Sequence, residues 1–189
     1  LGNLAILIQG TGDLHRSKEV NTRALQAMNA VIDRMAGDAQ EQTNARWNRT
    51  RILLNLGSTY FDMADFDRAG YFLRAAQAER KEFLGDEHPA VIELNEGIAE
   101  VEAMAGNYEE AEALLLQLIR VVEATKAGGE EKLADLKGKL ARMAIKQGRL
   151  QRADSILSAA LPKDERILSA STSRGLANTL GVRADLRAT

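Results

Sequence analysis

The stretch "LLNLGSTYFDMADFDRAGYFLRAA", residues 53–76, decides the fold. Leu53, Leu56 and Tyr60 recur at three- and four-residue spacing, and so do Phe66, Ala69, Leu73 and Ala76. That rhythm belongs to helices that bury one face. Between the two runs the chain passes through Ala64-Asp65, too short a break for anything but a tight turn. The stretch therefore predicts two antiparallel helices, crossing where the small residues Gly57 and Ala69 let the backbones approach.

The same pattern returns three more times, at 1–24, 95–118 and 137–160. Each copy has a large apolar residue followed by a small one: Leu4-Ala5, Leu56-Gly57, Ile98-Ala99, Leu140-Ala141. Seven residues later stands Gly12, Ala64, Gly106 or Gly148, where glycine supplies a left-handed backbone that ends the first helix. Asp13, Asp65 and Asn107 follow as expected caps. Leu14, Phe66, Tyr108 and Leu150 come next, and three residues on stands Ser17, Ala69, Ala111 or Ala153. A partial fifth copy is expected at Leu176-Ala177, with Ala184-Asp185-Leu186 as its turn. One helix pair cannot bury its own apolar faces, so such pairs must stack on their neighbours.

Taken together, these copies resemble the tetratricopeptide repeat. Leu53-x-x-Leu56-Gly57-x-x-Tyr60 followed by Ala69-x-x-x-Leu73-x-x-Ala76 carries the likeness, with Leu53 where the family has Trp. The third copy has Glu102 at the place of Tyr60, and the first has Ser17 for Ala. Ala64, Gly106 and Gly148 stand 42 residues apart, against about 34 in the ordinary repeat. The longer type is similar to repeats of kinesin light chains and bacterial signalling proteins, where a phrase like "LGDEHPAVIEL" (84–94) joins one pair to the next. The resemblance implies an all-α, right-handed superhelical solenoid of antiparallel helix hairpins. Its copies are expected at about 1–36, 43–84, 89–127 and 130–161, with a partial copy at 165–189, in one repeat domain over 1–189. The first interval is longer, 52 residues, with the extra length expected in the second helix and in the linker "AGDAQEQTNARW" around Gly37. Because the chain begins at Leu1, already inside an apolar pattern, it is expected to be a fragment of a longer protein.

Asp86, Glu87 and His88 look at first like a metal or general-base cluster. In the repeat frame they are a joint: Gly85 ends a helix in the αL conformation, Asp86 or His88 caps the next, and Pro89 suits its first turn. His15, the other histidine, is expected on a solvated surface. "QGTGD" (9–13) is read as a turn, since no strand precedes it and no Gly-Lys-Ser/Thr follows. "AGGEEK" (127–132) is read as a loop, and Glu109, Glu110 and Glu112 as a solvated helix face.

The chain has no cysteine, which removes disulfides, thiolate catalysis and Cys-based zinc sites and fits a reducing, cytoplasmic setting. No G-x-S-x-G elbow or metal-ligand spacing is present, so no catalytic, cofactor or metal residues are expected, and the protein is expected not to be an enzyme. A net charge of −2 with interspersed signs gives no basic face for nucleic acid or a membrane surface. No apolar run reaches the roughly 18 residues needed to span a bilayer.

Recognition remains. The family resemblance implies that the first helix of each pair lines a concave groove in which peptides lie. The residues off the apolar stripe there are Asn55, Ser58 and Asp62, then Glu93, Glu96 and Glu100, then Lys139, Arg142 and Lys146. Two readings of these charges stand open. Either they choose a peptide or protein partner, or Glu96/Glu100 and Arg142/Lys146 pair between neighbouring helices, worth about 0–1 kcal/mol each. Tyr71, Phe72, Phe83 and Trp47 raise the same alternative for apolar surface: a protein contact, or gap-filling beside the lengthened linker. The expected function is a non-catalytic protein-interaction module of a bacterial-type signalling protein. The alternative is a structural module that self-associates as a homo-oligomer or packs on another domain of its parent.

Overall fold

A computed structural model describes residues 2–35, 39–125 and 129–160. Every regular element among them is a helix: α1 Gly2–Gly10, α2 Leu14–Arg34, α3 Ala39–Asp62, α4 Phe66–Leu84, α5 Pro89–Ala105, α6 Tyr108–Thr125, α7 Gly129–Lys146 and α8 Leu150–Ala160. Leu14, Phe66, Tyr108 and Leu150 each open a second helix, as the repeat pattern requires. The fifth copy expected at 165–189 and the Gly37 linker centre lie outside the described residues.

The turns form for the reason the sequence suggests. Gly12, Gly106 and Gly148 have φ of +83°, +86° and +71°, and Ala64 takes +57° without being glycine. The exit of α3 is closed by hydrogen bonds from the Ala64 N–H to the Phe61 carbonyl (2.9 Å) and from the Asp65 N–H to the Tyr60 carbonyl (2.9 Å). This pairing satisfies carbonyls that a helix end leaves orphaned. Asp13 and Asp65 then cap α2 and α4, their side chains accepting the N–H of Arg16 and Arg68.

The chain divides into two compact units, Leu1–Ala105 with α1 to α5 and Gly106–Thr189 with α6 to α8. In the first, α2 packs on α1 and α3, and α4 packs on α3 and α5. Ala24, Ile52 and Leu56 form one core cluster; Leu53, Ala76 and Leu94 form the next. In the second unit α7 packs on α6 and α8, and Ala141, Ala144, Ala153 and Leu157 close the α7–α8 contact. The small residues at the crossings are needed for contact. A Cβ placed on Gly57 would meet Leu73 Cδ2 at 2.7 Å and Cγ at 2.9 Å.

Several local readings are corrected. Residues 39–47, expected in a linker, are the first turns of α3, which reaches 24 residues. Ala45 is buried there, and Arg46 pairs with Glu82 on α4, so the added length is held by tertiary contacts. Glu130, Glu131 and Lys132, expected in a loop, lie in the first turn of α7, where acids favour the helix dipole. Gly85 leaves α4 at φ 79°, ψ 165° rather than in αL. That region is open essentially to glycine alone, and it extends the chain toward the joint.

The two glycines that face Leu73 make opposite predictions. Gly57→Val should cost about 1–3 kcal/mol through overpacking. Gly97, whose Cβ would touch only Leu73 Cδ1 at 4.0 Å, should accept Ala with a gain of about 0.5–1 kcal/mol in helix formation. Urea unfolding of the two variants measures both.

Candidate functional site

On α3, Asn55, Ser58 and Asp62 follow one another at helical spacing on one face, continuing from Arg51. Asn55 is half-buried, and its carbonyl accepts the Thr59 hydroxyl at 2.7 Å. Ser58 and Asp62 are exposed, and both accept from Gln9 Nε2 on α1, at 2.9 and 2.6 Å. The amide thus orients two of the three expected α3 groups. On α5, Glu93 and Glu100 are exposed and Glu96 is half-buried.

Between α3 and α5 lies a cleft of about 230 Å³. Leu54 and Phe61 of α3 and Val101 of α5 form its apolar walls, and Leu73 of α4 lies across the bottom between Gly57 and Gly97. Ser58 and Glu100 supply the polar rim. Of the nine expected site residues, the structure brings these two together around one cavity. Lys139, Arg142 and Lys146 lie on α7, in the second unit. Lys139 pairs along its own helix with Asp135 at 3.0 Å; Arg142 is half-buried and Lys146 exposed.

The joint before α5 is structural. His88 Nδ1 accepts the Ala90 N–H at 3.2 Å, and the His88 carbonyl receives Val91 and Ile92, so His88 is the cap. Asp86 instead pairs with Lys81 at 3.0 Å. Arg80 holds the joint from α4: its Nη1 donates to the Ala90 carbonyl at 3.1 Å, and its guanidinium lies 5.3 Å from the Trp47 ring. Burial pushes the Arg80 pKa below the usual arginine value, while the Glu93 carboxylate pulls it back up.

Residues 48–124 match the family model for the tetratricopeptide repeat. That segment is similar to the tetratricopeptide repeat. Solved structures extend the likeness in fold to almost the whole chain. A point-substituted form of a putative kinesin light chain from Podosopora anserina, with nearly identical TPR-like repeats, superposes with a TM-score of 0.71 at 18% identity, covering 97% of this chain and 85% of that one. BtubC (BKLC) from P. vanneervenii gives 0.67 at 17% identity, with coverage of 97% and 72%. The apo form of RapI gives 0.64 at 14% identity, with coverage of 84% and 52%. No curated protein matches the chain in sequence. Tetratricopeptide repeats bind protein partners, and proteins of this family are typically non-enzymatic scaffolds. Among the described residues, no helix is long and apolar enough to cross a membrane.

Each departure from the repeat pattern has a local partner. Leu53, in the Trp position, is buried against Ala76 and Leu94. Ser17, in the Ala position, is fully buried with its hydroxyl 3.3 Å from that of Thr59. Glu102, in the Tyr60 position, is 5% exposed and pairs with Arg74 of α4. Glu112, expected on a solvated face with Glu109 and Glu110, is 8% exposed and bound by Arg149 and Arg152; Glu109 and Glu110 are exposed. The aromatic set divides. Phe72 stacks on Tyr60 with centroids 5.4 Å apart, and Arg46 lies 4.7 Å over Phe83. Tyr71 remains 67% exposed and Trp47 38%. Sequence reasoning missed the cleft because it sought polar residues. The available signal was glycine on two successive first helices, each followed by a polar rim position, at Gly57-Ser58 and Gly97 with Glu100.

Trp47 is the chain's one tryptophan and reports on this joint. Arg80→Met removes a charged donor to Ala90 and the cation over the ring, and should cost about 1–3 kcal/mol. Acrylamide quenching of Trp47 should rise in the folded variant, because its cover is gone.

Proposed function

We propose that this chain is a non-catalytic interaction module that docks a peptide or an extended partner segment on the face made by α3 and α5. The carrying observation is the apolar cleft between these helices, rimmed by Ser58 and Glu100. Glu93, Glu96 and Glu100 follow one another along α5, and Asp62 closes α3, so the face presents mainly carboxylates. Asn55, Ser58 and Asp62 then select a partner's polar groups, and the acids select its charge. Lys139, Arg142 and Lys146 form the corresponding set on α7. The setting we propose is the cytoplasm of a bacterium, within a larger signalling protein, because repeats of about 42 residues resemble those of such proteins.

Glu93→Lys with Glu100→Lys tests this reading against a displayed random-peptide library. The parent protein should enrich a family of sequences that the double variant fails to retain. The thermal unfolding of Glu100→Lys alone should agree with the parent within about 0.5 kcal/mol, since that position is exposed, whereas Glu93→Lys also takes a carboxylate from beside Arg80 and lowers stability further. Equal enrichment by the two proteins would contradict the assignment.

A second reading, self-association, is favoured by apolar surface at the other end of the first unit. Ile6 and Leu7 on α1 are 49% and 70% exposed, and Val31 on α2 is 47% exposed. If these residues meet a second copy, light scattering should give a dimer mass that falls to monomer in Leu7→Asp. A monomer at high concentration would remove this reading.

A further inference from the structure

We propose that the α3–α5 cleft is an anchor slot for a single large apolar side chain, carried by a peptide with lysine or arginine beside that residue. This rests on the docking reading above and names the chemistry of the occupant.

The size of the cavity sets the first half. Drug-sized ligands occupy pockets of about 300–1,000 Å³, whereas a cavity of about 150 Å³ accepts a benzene-sized group. At about 230 Å³ the slot matches one leucine- to phenylalanine-sized side chain. Its walls offer that side chain Leu54, Phe61 and Val101, with Leu73 across the bottom. The glycines create the room. Gly57 lets Leu73 lie against α3, and a Cβ on Gly97 would reach nothing nearer than Leu73 Cδ1 at 4.0 Å. Any larger residue at position 97 would occupy the slot itself.

Charge sets the second half. Glu100 is exposed on the rim, and Asp62 is the last residue of α3, oriented by Gln9 Nε2. The cleft is lined by the last turns of α3, whose carbonyl end adds negative potential. The nearby cations are already engaged. Arg68 pairs with Asp65 at 2.6 Å, Arg74 pairs with Glu102, and Arg51 at the far end of the face has a partner of its own. An apolar side chain entering the slot therefore brings its neighbours against unneutralised carboxylate. A cation there is attracted, and an acid is repelled.

The test uses fluorescein-labelled, capped peptides in which lysines flank one leucine, titrated into the full chain by anisotropy at low salt. The slot predicts saturable binding that weakens about tenfold or more when the leucine is replaced by alanine. Binding should also be lost when the lysines are replaced by glutamates, and should fall as salt is raised. Gly97→Leu and Gly97→Met should weaken the parent peptide by a similar factor without lowering the melting temperature, since both residues favour helix over glycine. Equal binding of the leucine and alanine peptides, unchanged binding by both Gly97 variants, or no binding of any lysine-flanked peptide overturns the slot. If the first two results appear while Glu93→Lys with Glu100→Lys still abolishes binding, the docking face stands and only the slot falls. A library selection insensitive to that charge reversal removes the docking reading as well.

Discussion

Three glutamates buried where helices meet hold this structure in register. Glu79 on α4 takes Arg49 from α3 and the Thr50 hydroxyl at 2.7 Å; Glu102 on α5 takes Arg74 from α4; Glu112 on α6 takes Arg149 and Arg152 around the start of α8. A carboxylate taken out of water without a partner is costly, and removing one member of a buried pair is more disruptive than never having had it. Aliphatic contacts are tolerant of sliding, and these ion pairs are not. A helix that slips by a turn strands a charge. Gly70 is part of the device, because a Cβ there would come within 2.8 Å of Arg74 Nη1 and 3.5 Å of Glu102 Oε1.

That arrangement leaves the outer face of the first helices to other work. With α4 packed on both α3 and α5, Leu73 lies at the cleft between them, which Leu54, Phe61 and Val101 wall. Glycine at 57 and 97 then turns the gap into a cavity. Rigidity matters for recognition of this kind, since a slot that exists before the partner arrives spares the ordering cost that binding otherwise carries. Arg80, stacked on Trp47 and bonded to the Ala90 carbonyl, extends the same fixation to the start of α5 and so to the line of acids that follows.

Much of this was legible in the residues. Hairpin turns, helix starts at Leu14, Phe66, Tyr108 and Leu150, the Asp13 and Asp65 caps and the role of the His-Pro joint follow from short-range chemistry, which a single sequence displays. What failed to show was long-range. Glu112 read as solvent-facing because a charge in an amphipathic helix usually is, and Glu102 read only as a departure at the Tyr60 position; their burial depends on arginines 28 and 37 or more residues away. The first turns of α3 read as linker because no periodic stripe marks residues 39–47; buried Ala45, the Arg46–Glu82 pair and the contacts of Arg46 with Phe83 and of Trp47 with Arg80 hold them. The candidate face was half legible. Ser58 and Glu100 were named from their place off the apolar stripe, yet the cavity that gives them a common role belongs to three helices at once.

The claim that buried ion pairs set the helix register is tested most directly by a double-mutant cycle on Arg74 and Glu102. Urea unfolding of Arg74→Ala, Glu102→Ala and the double variant gives the coupling energy. The structure predicts a favourable coupling of about 1 kcal/mol or more, with each single variant less stable than the parent. Additive effects, agreeing within about 0.3–0.5 kcal/mol, would contradict it and leave aliphatic packing alone to hold α4 against α5.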